Sequence, residues 1–224
     1  MSTDTDANLP FNVGETLAGK YRIDRVLGVG GMGVVVAATH LDLDTKVAIK
    51  VMRDELLSEP SAVQRLMLEA RAAAKIKSEH VARVLDVSTL PSGVPYIVME
   101  YLDGCDLAQL LTEHGALPVA QVADYLLEAC EALAEAHAAQ IIHRDLKPEN
   151  LFVARAADGS PTIKVVDFGI SKQLGPAASE RALTNPSTAV GSPQYMAPEQ
   201  MQGRPIDVRA DIWALGTILY QAVT

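Results

Sequence analysis

The chain changes texture once, near Tyr101 to Gly104, and that change limits the folds open to it. Before it, β-branched residues dominate and alternate. "YRIDRVLGVG" and "GVVVAATH" read as two strands around a glycine turn, and "KVAIKVM" reads as a third. A helix is predicted over "SAVQRLMLEARAAAKI", starting at Ser61 just after Pro60, with Leu66, Ala70, Ala73 and Lys77 on one face. "VARVLDVSTL" and "VPYIVMEYL" follow as two more strands, with "PSG" as the turn between them. After Gly104 the periodicity becomes helical. "DLAQLLTEH" is a short helix, and "PVAQVADYLLEACEALAEAHAAQ" is a long one, opened by Pro118 where proline is tolerated and striped by Val122, Leu126, Ala129 and Leu133. "TIKVVDFGI" is then a strand, followed by a Ser/Thr/Pro-rich loop from Ser171 to about Pro198 and a last apolar segment, "ADIWALGTILYQAVT". Strands gathered in one part and helices in the other make an α+β chain, a small sheet lobe and a helical lobe.

Composition removes several function classes. The 224 residues, 49% hydrophobic and 21% charged, suit an ordinary globular protein with one large domain or two small lobes. A net charge of −9 argues against general nucleic-acid affinity, which needs a basic footprint. Cys105 and Cys130 are the only cysteines, so there is neither a disulfide framework nor a CxxC metal site, and a reducing, cytoplasmic setting is expected. "MSTDTDANLPFNVGE" is polar and acidic, without the basic-then-apolar order of a signal peptide, and reads as a flexible lead-in. No apolar run reaches the length that spans a bilayer; Ile212 to Val223 is too short.

Four short stretches carry chemistry. "GVGGMGVV" has glycines at 28, 30 and 33, but a dinucleotide-binding loop opens a helix after its third glycine, whereas Val34, Val35 and Val36 continue as a strand. The loop is therefore a hairpin flap whose backbone N–H groups could approach phosphates. In "VAIK", Lys50 ends an apolar strand. It serves either as a guard against edge aggregation or, paired with Glu69 on the helix, as a holder of phosphates. In "KVVDFGI", Asp167 closes a strand; it is either a turn residue or, with Asn150, one of two oxygen ligands for Mg²⁺. "IIHRDLKPENLFV" crowds Arg144, Asp145, Lys147, Glu149 and Asn150 into a short segment that Pro148 keeps from being helical.

Taken in order, "GVGGMGVV", "VAIK", the helix with Glu69, "IIHRDLKPEN", "DFG", "APE" and "DIWALG" resemble the eukaryotic-like protein kinase family, from about Tyr21 to the last residue. The alanine-rich texture and "GVGGMG" look most like bacterial Ser/Thr kinases. The resemblance implies the two-lobed kinase fold: a lead-in over 1–20, a small lobe over 21–102 and part of a large lobe over 103–224. It implies ATP and Mg²⁺ as cofactors and protein Ser/Thr hydroxyls as acceptors, in signalling with activation-loop autophosphorylation. Asp145 would accept the substrate hydroxyl proton, Lys147 would neutralise the γ-phosphoryl, and Asn150 and Asp167 would hold magnesium. Lys50, oriented by Glu69, would hold the α- and β-phosphates, under a flap formed by Gly28, Val29, Gly30, Gly31, Met32 and Gly33. Leu27, Val35, Ala48 and Phe152 would line the adenine slot with Met99 at its back. The backbone of Glu100 and Leu102 would face the ring, and Asp106 would reach the ribose.

Lys147 in "DLKPEN" is the Ser/Thr-kinase choice, and Ser192 in "GSPQYMAPE" stands where the family more often has threonine, at the substrate site. Arg144 would pair with a phosphate on the activation loop, with Thr184 the first candidate to carry it and Thr188 the second. The competing reading is a pseudokinase or truncated kinase that binds nucleotide or acts as a scaffold; the presence of Lys50, Asp145, Asn150 and Asp167 disfavours it. "DIWALGTILYQAV" places apolar residues on all sides of a helix, a pattern expected to be buried all round as the central post of the large lobe, with Asp211 bracing the backbone of the "HRD" segment. Its covering helices and an arginine for Glu199 lie beyond Thr224 in the family. A fragment ending there is expected to aggregate and to turn over poorly.

Overall fold

A computed structural model gives the structure of the chain and describes residues 11–30, 33–53, 57, 60–156, 158–168 and 193–224, apart from the side chains of 60–62, 65 and 69. The chain divides into two compact units: the described part of Met1–Ala70 with Arg83–Tyr101, and Arg71–Ala82 with the described part of Leu102–Thr224. The first division falls inside a helix.

The first unit is a six-stranded antiparallel sheet in the order β1-β2-β3-β4-β6-β5. Its strands are β1 (Thr16–Leu17), β2 (Tyr21–Val29), β3 (Gly33–His40), β4 (Thr45–Met52), β5 (Val84–Thr89) and β6 (Pro95–Glu100). Period-2 alternation decides its faces. Val34, Val36 and Ala38 of β3 and Val47, Ile49 and Val51 of β4 enter one core with Ile23, Val98 and, from α1 (Pro60–Ala73), Leu66 and Ala70. Helix α1 ends before the predicted Ile76. The amides of Lys75 and Ile76 reach back three residues, to the carbonyls of Ala72 and Ala73, which tightens and stops the helix. Ile76 then turns into the second core, and Lys77, beyond the helix, is exposed.

The second unit contains a three-stranded sheet, β7 (Gly104–Asp106), β8 (Leu151–Arg155) and β9 (Pro161–Val165), in that order. Around it lie helices α2 (Leu107–His114), α3 (Val119–Ala138), α4 (Pro198–Met201) and α5 (Arg209–Val223), with 3₁₀ turns at Pro148–Asn150 and Pro193–Tyr195. The stripe predicted for α3 is the buried one: Val122, Leu126, Ala129 and Leu133 all enter the core. Asp106 caps α2 by accepting from the Gln109 amide at 2.8 Å.

Two expectations change here. Strand β9 stops at Val165 and does not run on to Asp167, because the backbone of Val166 leaves the ladder: its amide donates to Asn150 O and its carbonyl accepts from His143. Helix α5 is not buried all round. Ala210, Asp211, Ala214, Leu215, Ile218 and Ala222 are buried, while Ile212, Trp213, Leu219 and Tyr220 are exposed, Tyr220 at 71%. The described elements that meet α5, chiefly α3 and the Pro193–Tyr195 turn, cover one side of it only.

Candidate active site

In the first unit, residues that the sequence singled out share one sheet face. Val35 lies directly opposite both Gly28 and Lys50 in the ladder, and Ala48 lies opposite Met99. Directly opposed residues in antiparallel strands project to the same side. The alternate residues Val34, Val36, Val47 and Ile49 enter the core, and Met99 packs against that core as well. Leu27 and Val29 are exposed at 39% and 44% on the end of β2. Gly30 donates its amide to Gly33 O at 2.9 Å, closing the hairpin neck. Gly33 is required by contact: a Cβ there would sit 2.3 Å from Val51 O. Glu100 ends β6, with its amide on Arg83 O at 2.9 Å and its carboxylate accepting from the Arg83 amide at 2.9 Å. Gly31, Met32 and the side chain of Glu69 lie outside the described residues, and with it the Lys50–Glu69 pair.

In the second unit, the segment from Ile141 to Asn150 is held by groups distant in sequence. Asp211, 1% exposed at the start of α5, accepts from the His143 amide at 2.9 Å and the Arg144 amide at 2.8 Å. His137 on α3 donates Nε2–H to the same carboxylate at 2.7 Å. A buried carboxylate thus satisfies two backbone donors and one imidazole, which is why burial is tolerated. His143 is fully buried. Its Nε2 donates to Val166 O at 3.0 Å, and the Asp145 amide points at its Nδ1 at 3.4 Å. That pattern needs a neutral ring, and burial holds the His143 pKa below the ordinary imidazole range against the opposing pull of Asp211. Its ring also packs on Phe168, centroids 4.8 Å apart.

Asn150, 6% exposed, donates Nδ2–H to Asp145 O at 2.7 Å, which leaves its Oδ1 as the atom able to ligate a cation. Arg144 and Asp167 both adopt left-handed backbones, φ 66° and 52°, on either side of this network. Lys147 precedes the 3₁₀ turn in extended conformation, and its carbonyl accepts from the Asn150 amide at 2.9 Å. Phe152 of β8 lies directly opposite Asp106 of β7. Leu102 is half-buried where the second unit resumes. Among the described residues no three His, Cys, Asp or Glu side chains form a metal cluster. Two oxygen donors, Asn150 and Asp167, suit Mg²⁺, which takes one or two protein oxygens and completes its shell with phosphates and water. Thr184, Thr188 and Ser192 lie outside the described residues.

His137 and Gln200 belong to this network and escaped the sequence reading. Gln200 of α4 donates Nε2–H to Arg144 O at 2.9 Å. Neither has a signal in the chain beyond standing near a motif, His137 six positions before His143 and Gln200 directly after "APE".

Comparison with known proteins identifies the family. The family model described as "Protein kinase domain" matches residues 21–224. Serine/threonine-protein kinase pkn3 of Myxococcus xanthus is 42% identical over 212 residues, covering 95% of this chain and 39% of its own length. PknB of Mycobacterium tuberculosis is 36% identical over 211 residues, covering 93% of this chain and 33% of its own. The chain spans about a third of the length of these curated relatives. The crystal structure of the Mycobacterium tuberculosis PknI kinase domain superposes with a TM-score of 0.72 at 28% identity, over 96% of this chain and 78% of that one. Among the described residues no helix is long and apolar enough to cross a membrane.

Proposed function

The chain belongs to the protein kinase domain family, among bacterial serine/threonine-protein kinases, and on that premise we propose that it transfers the γ-phosphoryl group of ATP to Ser and Thr hydroxyls of proteins in signalling. The observation that supports this most directly is the 2.7 Å hydrogen bond from Asn150 Nδ2 to Asp145 O. It ties the residue assigned to the metal to the residue assigned to the proton, so one displacement would disturb both.

Asp145 takes the proton of the acceptor hydroxyl as its oxygen attacks phosphorus, and Lys147 neutralises the charge on the transferring group. Asn150 and Asp167 would hold Mg²⁺, which would supply charge neutralisation for the phosphates. Lys50, oriented by Glu69, holds the α- and β-phosphates under the flap from Gly28 to Gly33. In the first unit this reading assigns Leu27, Val35, Ala48, Met99 and the Glu100 backbone to adenine; in the second it assigns Phe152 and the Leu102 backbone to adenine and Asp106 to the ribose. Positioning and electrostatics carry this reaction, since phosphoryl transfer asks for little covalent chemistry from the protein.

Arg144 is the regulatory receptor in this reading. Its Nε is buried and, among the described residues, has no hydrogen-bond partner. A phosphate on Thr184, or failing that Thr188, would supply charge-assisted acceptors, while Ser192 serves the substrate site. A cytoplasmic setting belongs to the same proposal and is supported by two unpaired cysteines.

The test is Mg²⁺-dependent transfer of labelled phosphate from ATP to a generic basic protein, followed by mapping of the acceptor residues. Transfer to Ser and Thr is expected, with autophosphorylation within 171–192. Nucleotide binding without transfer would move the chain to the scaffold class.

A further inference from the structure

We propose that Gln200 is a positioning residue for phosphoryl transfer, holding the peptide unit that immediately precedes Asp145; this rests on the kinase reading above. Arg144 adopts a left-handed backbone with φ 66°, a conformation a side-chain-bearing residue does not keep without outside support. Its amide is held by Asp211 Oδ1 at 2.8 Å. Its carbonyl is held by Gln200 Nε2 at 2.9 Å. The next amide, that of Asp145, points at His143 Nδ1 at 3.4 Å. Because a peptide unit is planar, fixing the Arg144 oxygen and the Asp145 nitrogen fixes the plane on which the Asp145 Cα, the base of its side chain, is placed. The Asp145 amide contact is long, so Gln200 provides the shorter of the two restraints on that plane.

The Gln200 amide is itself oriented. Its Oε1 accepts from the Ala197 amide at 2.9 Å, which leaves Nε2, the donor, for Arg144. The turn and helix around it are fixed separately: Tyr195 is buried and donates its hydroxyl to Gln221 of α5. Gln200 therefore links two segments 56 residues apart in sequence, the one carrying the base and the one following Ser192. The link runs through a single donor, so it can be removed without disturbing the anchor at Tyr195.

The experiment compares the wild-type full-length protein with Gln200→Met, Gln200→Glu and Tyr195→Phe. Met keeps the size and loses both bonds; Glu keeps the acceptor for Ala197 and, ionised, loses the donor to Arg144. Both Gln200 variants are expected to lower kcat for a protein substrate about 10-fold or more, with KM for ATP within about two-fold, because the loss is of geometry at the base. Tyr195→Phe, which loosens the same segment elsewhere, is expected to keep kcat within about two-fold. Deuterium exchange at the amides of 143–145 should accelerate in the Gln200 variants and not in Tyr195→Phe. Wild-type kcat in Gln200→Met or Gln200→Glu, or an equal loss in Tyr195→Phe, would overturn the inference. A wild-type protein that transfers no phosphate overturns the kinase reading instead; unchanged exchange at 143–145 in the Gln200 variants would then still overturn this one.

Discussion

Asp145 and Lys50 separate chemistry from binding at the scale of one side chain. Asp145→Asn keeps the shape and removes the base, so kcat should fall by about 10²–10⁴ while ATP affinity stays near wild type. Lys50→Met should abolish transfer by misplacing the phosphates; turnover and nucleotide binding measured side by side check both. His143 gives a pH dependence with a definite sign. In the unfolded chain its imidazole gains a proton near about 6.5, but in the folded chain burial delays that proton to lower pH. Below the ordinary value the unfolded state binds more protons, so this group makes stability fall as pH falls. Urea midpoints at pH 7 and pH 5.5 should differ less in His143→Phe than in wild type, although that variant is less stable at both. The motif residues were legible singly, since their types and order carry the resemblance. His137 and Gln200 were not, because nothing local distinguishes a histidine or glutamine that reaches a distant backbone from one that reaches water.

The strand β7 and the C-terminal end of β9 show how elements escape a sequence reading. β7 is three residues long and exists because Gly104 takes φ 147° and lets its Cα face the Val153 carbonyl; a Cβ there would lie 2.1 Å from that oxygen. Gly104→Ala should therefore destabilise the second unit by about 2 kcal/mol or more, read as a lowered thermal midpoint. β9 is cut short because Val166 trades ladder bonds for His143 and Asn150. Long periodic elements were legible: β3 and β4 form as the strands their alternation predicted, and the stripe of α3 put the predicted residues into a core. Short elements follow from long-range pairing, which leaves no period to read. The two-residue β1, inside the stretch read as a lead-in, is a case of the same kind.

For the molecule as a whole, Asp211 is the test of how the second unit is tied together. Its one carboxylate serves α3 through His137 and the active-site segment through two amides. Asp211→Ala would leave these donors buried without acceptors, at a cost of about 3 kcal/mol or more. Chemical denaturation should show that loss, together with loss of turnover. The role of Asp211 was legible through the family resemblance, and its geometry was not. By itself the sequence determined the α+β class, the sheet-then-helix order, the buried stripe of α3 and the identity of the chemical groups, because periodicity and residue type are local properties. The tertiary structure alone decided which atoms those groups engage: the neutral His143 bridging Asp145 and Val166, Asn150 turned toward Asp145, and Gln200 on Arg144. It also decided that α5 buries one face and exposes Ile212, Trp213, Leu219 and Tyr220. Such choices depend on partners far apart in the chain, where satisfying a buried polar group or covering an apolar face is settled by packing and not by neighbours in sequence.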